Sequence, residues 1–279
     1  MANGVLNDKV VLVTGASAGI GLAVCRQLVA AGARVVMVAR TAATLERAAA
    51  SLGDADRAIP IPLDVGDLAA LERLPAKVVA RCGRLDVVVN NAGVHHRGAV
   101  ATRSTADLAA MVNVNLTAPI VLTRAALDVL PRGGVVVNVA SLSGYVPLPG
   151  AATYSATKAG MRWFARAVDD ELRERGIAVR TVSPGPVDTD FFLGELDRVA
   201  PMTFSQPMSK PEEVAGAVIQ AILEGPQEIG MPKKGARLAT LGYLSPGFLR
   251  FLRPRLERKG AKAKAAYAAR RRGPTGSQP

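Results

Sequence analysis

The run Val10-Val11-Leu12-Val13-Thr14-Gly15-Ala16-Ser17-Ala18-Gly19-Ile20-Gly21 reads as a strand, a glycine-rich turn and the start of a helix. Its first residues are β-branched and continuously apolar, as in a strand covered on both faces. Glycine lets a chain turn tightly and lets backbone approach a pyrophosphate closely. The helix behind it would offer free N–H groups and the positive end of its dipole to that anion. A glycine-rich octet alone is equally an ordinary tight turn. Its place between a first strand and a first helix is what points to a bound dinucleotide.

Outward from this turn, short β-branched runs alternate with longer helical patterns. Strands are predicted at 10–14, 34–39, 58–63, 86–90, 134–140 and 177–183, with a short candidate at 227–231. Helices are predicted near 19–31, 42–51, 67–82, 105–130, 153–175 and 211–224, the last opened by Pro211-Glu212-Glu213. Such regular alternation implies right-handed crossovers and a parallel sheet. The expected fold class is α/β, a single-domain Rossmann-type doubly wound parallel sheet with helices on both faces. It should span residues 1–232, including a substrate lid at about 188–209. Residues 233–279 read as an extension, first apolar and then basic, whose Gly/Pro/Ser-rich end at 273–279 is expected to be disordered.

Of 279 residues, 49% are hydrophobic and 21% charged, which excludes a disordered polymer. The net charge of +12 invites a nucleic-acid reading, but residues 250–272 hold ten Lys or Arg against one acid. Nine of the twelve charges therefore sit in a tail without an RNA-binding motif, and no nucleic-acid partner is expected. Cys25 and Cys82 lack metal-ligand spacing and read as small buried apolar residues, so no metal is expected. No charged segment followed by an apolar one opens the chain, and no apolar run nears the roughly 18 residues of a spanning helix. These readings predict a cytoplasmic body.

Further motifs recur at the predicted strand ends and helix starts. They are Asp64-Val65, Asn90-Asn91-Ala92-Gly93, Asn115 within Asn113-Val114-Asn115-Leu116, Ser141, Tyr154-Ser155-Ala156-Thr157-Lys158, and Pro184-Gly185-Pro186-Val187-Asp188-Thr189. With the Thr-Gly-x-x-x-Gly-x-Gly turn they make the chain resemble the short-chain dehydrogenase/reductase family over about residues 8–190. The resemblance implies a nicotinamide cofactor held at the turn by Gly15, Ser17, Ala18, Gly19, Ile20 and Gly21. Asp64 and Val65 would flank the adenine, and Asn91, Ala92 and Gly93 the adenosine ribose side. Pro184, Gly185, Val187 and Thr189 would border the nicotinamide.

The second strand ends Val38-Ala39-Arg40. An acid at its tip would bond the ribose 2′-OH and repel a 2′-phosphate, whereas a guanidinium pairs with that phosphate. The slot where NAD-using relatives carry Asp is Ala39, so Arg40 predicts NADP(H) over NAD(H).

Tyr154 and Lys158 are four residues apart and share a helix face. A phenol with a pKa near 10 needs a cationic neighbour before it serves as a base at neutral pH. Ser141 lies thirteen residues before Tyr154, directly after an apolar strand. The resemblance implies that Ser141 bonds the substrate oxygen, Tyr154 exchanges its proton, and Lys158 holds the nicotinamide ribose and lowers the tyrosine pKa. It also gives Asn115 a water that links Lys158 to solvent. Ser143 is a rival serine whose spacing does not match.

His95 and His96 read as solvated loop residues, with a place at the substrate mouth as the alternative. An apolar lid containing Phe191, Phe192, Leu193, Met202 and Phe204 suits a hydrophobic substrate. The resemblance also implies a homodimer or homotetramer formed through helices 105–130 and 153–175, with Trp163 and Phe164 at that surface or in the core. The apolar-then-basic end either covers the pocket or a dimer mate, or touches an anionic membrane. The resulting expectation is an NADP(H)-dependent oxidoreductase that interconverts an alcohol and a ketone or aldehyde. A catalytically silent NADP-binding scaffold is the alternative.

Overall fold

The computed structural model describes residues 6–192 and 195–272. Leu193 and the expected disorder of 273–279 lie outside the described residues. The strands are β1 Val10–Thr14, β2 Arg34–Ala39, β3 Ala58–Pro62, β4 Val87–Asn90, β5 Val135–Val139, β6 Ala178–Pro184 and β7 Glu228–Met231. They form one sheet ordered β3-β2-β1-β4-β5-β6-β7, with every neighbouring pair parallel. The order reverses between β1 and β4, opening a crevice at their carboxyl ends where ligands bind in such sheets.

The helices are α1 Gly19–Ala30, α2 Ala42–Ala50, α3 Leu68–Glu72, α4 Leu74–Cys82, α5 Thr105–Val112, α6 Ala118–Ala126, α7 Ala152–Glu171, α8 Pro211–Glu224, α9 Lys233–Leu244 and α10 Pro246–Arg272. Alternate strand residues face opposite layers. Val11, Val13, Val35 and Met37 meet Val24, Cys25 and Leu28 of α1 and Val214 and Val218 of α8. Val10, Leu12, Val36 and Val38 meet Leu74 and Val78 of α4 and Leu122 of α6. Each such side chain, once fully buried, contributes about 1.5–3 kcal/mol. This double covering is why the strands read as continuous apolar runs. Cys25 and Cys82 are buried in the two layers, and burial pushes the Cys25 thiol up to about 12.

Two expected helices are broken. The segment 67–82 divides at Arg73, where Asp67 caps α3 by accepting from the Ala70 amide and Pro75 sits in the first turn of α4. The segment 105–130 contains a π turn at Asn113–Thr117 between α5 and α6. One extra residue in that turn rotates Asn115 into full burial. Against the expectation for apolar runs, Thr105–Ala126 is long and apolar enough to cross a membrane by length and composition. It packs against α3, α4 and α7, and only 28% of the apolar window is buried, so an apolar flank faces outward.

β7 is tied to α7 by a bidentate pair, Arg162 Nε to Glu228 Oε1 at 2.6 Å and Nη2 to Oε2 at 2.8 Å. Ser183 Oγ donates to the same carboxylate at 2.6 Å, which locks β6 and β7 behind the helix that carries Tyr154.

Candidate active site

Thr14 anchors the glycine turn to the end of β4. Its Oγ1 accepts from the amides of Asn91 at 3.0 Å and Ala92 at 3.1 Å. Asn91 Nδ2 returns a bond to the Thr14 carbonyl at 3.0 Å. Gly15 lies at φ +66° and Gly19 at φ +53°, a region that L side chains rarely adopt. A Cβ on Gly21 would overlap the Gly15 carbonyl and lie 2.6 Å from Asn91 Nδ2. The turn therefore has room for glycine alone at that point.

Above the turn opens a cavity of about 460 Å³, running from Gly15, Ala18, Gly19 and Ile20 past Asn91, Ala92 and Gly93 to Ser141, Tyr154 and Lys158. Pro184, Gly185, Val187 and Thr189 line its other side. Ser17, Gly21, Arg40, Asp64 and Val65 lie outside this lining. Arg40 is exposed at the tip of β2, and Asp64 Oδ1 accepts from the Gly66 amide at 2.9 Å. The glycine cradle, the helix start behind it and the extended groove fit a dinucleotide.

Ser141 follows β5 directly, and its Oγ accepts from the Ser143 amide at 3.1 Å. Lys158 is 4% exposed and donates from Nζ to the Val139 carbonyl at 2.9 Å, 5.8 Å from the centre of the Tyr154 ring. Burial lowers its pKa to about 8. Burial raises the Tyr154 phenol above its ordinary value, against a hydrogen bond from Ser141 and the charge of Arg97, which both pull it down. Asn115 spends both ends of its carboxamide on Val94, at 2.8 Å each, and stands behind Gly93 beside Lys158.

Two residues near Tyr154 escape a reading by motif. His95 is not a solvated loop residue: its ring stacks on Tyr154 at 4.2 Å and 9°, and its Nε2 is buried without a partner. Burial, then the charges of Arg97, His96 and Lys158, push its pKa down to about 3. Arg97, 4% exposed, donates to the Phe191 carbonyl at 3.0 Å and lies over the rings of Phe191 and Phe192 at 4.9 and 5.2 Å. His96 instead faces Asp107 at 3.8 Å on the surface. No spacing in the sequence marks Arg97.

Among its described residues, the segment 188–209 expected to form a lid contains three short 3₁₀ turns, and Phe192 and Phe204 are buried within it. Trp163 is 55% exposed on α7 rather than in the core.

Residues 9–197 match the family model described as short chain dehydrogenase. The chain belongs to the short-chain dehydrogenase/reductase family. It is 35% identical over 227 residues to a ketoacyl reductase of Nostoc sp., covering 80% of this chain and 78% of that protein. It is 33% identical over 220 residues to a 3-oxoacyl-[acyl-carrier-protein] reductase of Synechocystis sp., covering 76% and 88%. Among solved structures, a short chain dehydrogenase from Burkholderia cenocepacia in complex with NADP superposes with TM-score 0.75 at 32% identity, over 83% of this chain and 99% of that one. As a short-chain dehydrogenase/reductase, the protein is an oxidoreductase acting between alcohol and carbonyl groups with a nicotinamide cofactor.

Proposed function

We propose that this reductase is an NADP(H)-dependent enzyme for a hydrophobic ketone or aldehyde, with Ser141, Tyr154 and Lys158 as its catalytic residues. The convergence of these three side chains at one end of an otherwise largely apolar cavity carries the reading. Ser141 holds the substrate oxygen, and Tyr154 delivers its proton to that oxygen during reduction. Lys158 holds the ribose next to the nicotinamide and supplies the positive charge that makes the phenol a better acid. Asn115 positions the Gly93–Val94 backbone beside Lys158, with one Oδ1 lone pair left for a water. When bound, the nicotinamide supplies or accepts the hydride. The turn from Gly15 to Gly21, Ser17 included, would hold the pyrophosphate, Asp64 and Val65 would flank the adenine, and Arg40 would pair with a 2′-phosphate.

Assays of ketones and aldehydes with NADPH and NADH test this reading. Arg40→Asp should reverse the NADPH/NADH ratio of kcat/KM; an unchanged ratio removes Arg40 from cofactor choice. NADPH binding without oxidation by any substrate would favour the silent scaffold instead.

The outward apolar flank of α5 and α7, with Val112 40% and Trp163 55% exposed, supports a homodimer or homotetramer, which light scattering checks. On α9 and α10, Leu244 and Phe251 are each 73% exposed beside exposed Arg250, Arg255 and Arg258. This face fits a cytoplasmic enzyme that touches an anionic membrane. Flotation with phosphatidylserine vesicles should be lost in the double variant Leu244→Asp/Phe251→Asp; equal flotation ends the idea.

A further inference from the structure

The family model stops at residue 197, whereas α10 begins at Pro246 and folds back onto the lid. Leu249, Leu256, Gly260, Lys264, Tyr267 and Arg271 recur at spacings of seven, four, four, three and four, so they share one face of the helix. Leu249 and Leu256 line the cavity above the glycine turn. Leu249 also packs against the cluster of Leu142, Val146 and Ala239 of α9, as do Met202 and Leu148.

The rest of this face grips the segment 188–209. Gly260 lies so close to Pro201 that a Cβ would overlap the Pro201 carbonyl oxygen. Lys264 Nζ donates to the carbonyls of Asp197 at 3.0 Å and Val199 at 2.8 Å. Tyr267 is 3% exposed and completes the apolar cluster of Phe192, Val199 and Phe204, with ring centres 6.5 Å from Phe192 and 5.5 Å from Phe204. Its hydroxyl donates to Asp188 Oδ1 at 2.9 Å, and Arg271 Nη2 reaches the same oxygen at 2.7 Å. A buried tyrosine whose hydroxyl has a partner is both an apolar anchor and a directional one. Among the described residues, the buried rings of this small cluster are Phe192 and Phe204 of the segment and Tyr267 of α10.

We propose that α10 is a specificity-determining wall of the active site: Leu249 and Leu256 limit the length of an apolar substrate, and the Gly260–Arg271 half holds the lid against it. The proposal rests on the reductase reading and adds what sets substrate size. The helix therefore has two jobs on two faces. The inward face closes the pocket, and the outward face, with Phe251, remains exposed.

A series of straight-chain methyl ketones from 2-butanone to 2-dodecanone, assayed with NADPH, tests it. Leu256 is half-buried and lines the cavity, so the larger side chain of Leu256→Trp takes up part of its volume. That variant should raise KM for 2-dodecanone about tenfold, equal to about 1.4 kcal/mol or the burial of roughly two methylenes, and leave 2-butanone unchanged. Leu256→Ala should shift the preferred length upward. Gly260→Leu should lift the helix from Pro201 and increase tryptic cleavage after Arg198 in the full-length chain. Equal KM changes for short and long ketones, or none, overturn the wall; unchanged cleavage overturns the grip on the lid. If the wild type oxidises NADPH with none of these ketones, the ketone substrate of the proposed function falls. The wall is then judged by whether 2-dodecanone, and not 2-butanone, raises the melting temperature of the NADPH-loaded wild type but not of Leu256→Trp.

Discussion

Tyr154→Phe should lower kcat for carbonyl reduction by about 10²–10⁴-fold, the usual contribution of a positioned general acid. NADPH affinity should change little, because the phenyl ring preserves the stack with His95 at 4.2 Å. Burial raises the phenol above its ordinary value, which favours the protonated form a proton donor needs. The pH profile should follow the lysine. Burial lowers Lys158 to about 8, so it is charged below that value and loses its charge as pH rises through it. Reduction measured as kcat/KM should therefore fall above about pH 8 in the wild type. A full-rate Tyr154→Phe enzyme would remove the phenol from the chemistry.

Gly21→Ala should have the second large effect, on cofactor affinity and stability together. The new Cβ would meet the Gly15 carbonyl, a backbone atom that cannot swing aside, and Asn91 Nδ2 at 2.6 Å. Asn91 itself is bonded to the carbonyls of Thr14 and Gly15 at 3.0 and 3.2 Å, so relieving the overlap opens the join between β1 and β4. Overpacking of this kind costs about 1–3 kcal/mol. Titration of NADPH by fluorescence should show a Kd raised by about tenfold or more. Gly247→Ala is the control, since nothing lies within 4 Å of its new Cβ. Equal affinity in the two variants would mean that the turn does not hold the cofactor.

The parts of the molecule that sequence reading reaches are those whose chemistry is local. A strand, a tight turn and a helix start fall within Val10–Gly21, so the residue order states the geometry directly. The four-residue step from Tyr154 to Lys158 is likewise set by one helix. The division at Arg73 and the π turn around Asn115 are harder to read. Both are small departures from a good helical pattern, and a single residue changes the phase. His95 and Arg97 lie in a loop without periodicity, and their place beside Tyr154 depends on where β4 and α7 bring them.

The sequence by itself determined the strand–helix alternation, the glycine turn and the four-residue step from Tyr154 to Lys158, because each lies within one element or at its end. It also located the excess charge in the tail. Only the tertiary structure decided where that tail packs. Tyr267 and Asp188 are 79 residues apart, as are no two partners in a local motif, yet their side chains meet at 2.9 Å. Leu256 lines the cavity, one turn before the point where Gly260 lies against Pro201. Such pairings depend on the path of the whole chain, and no spacing along the sequence encodes them.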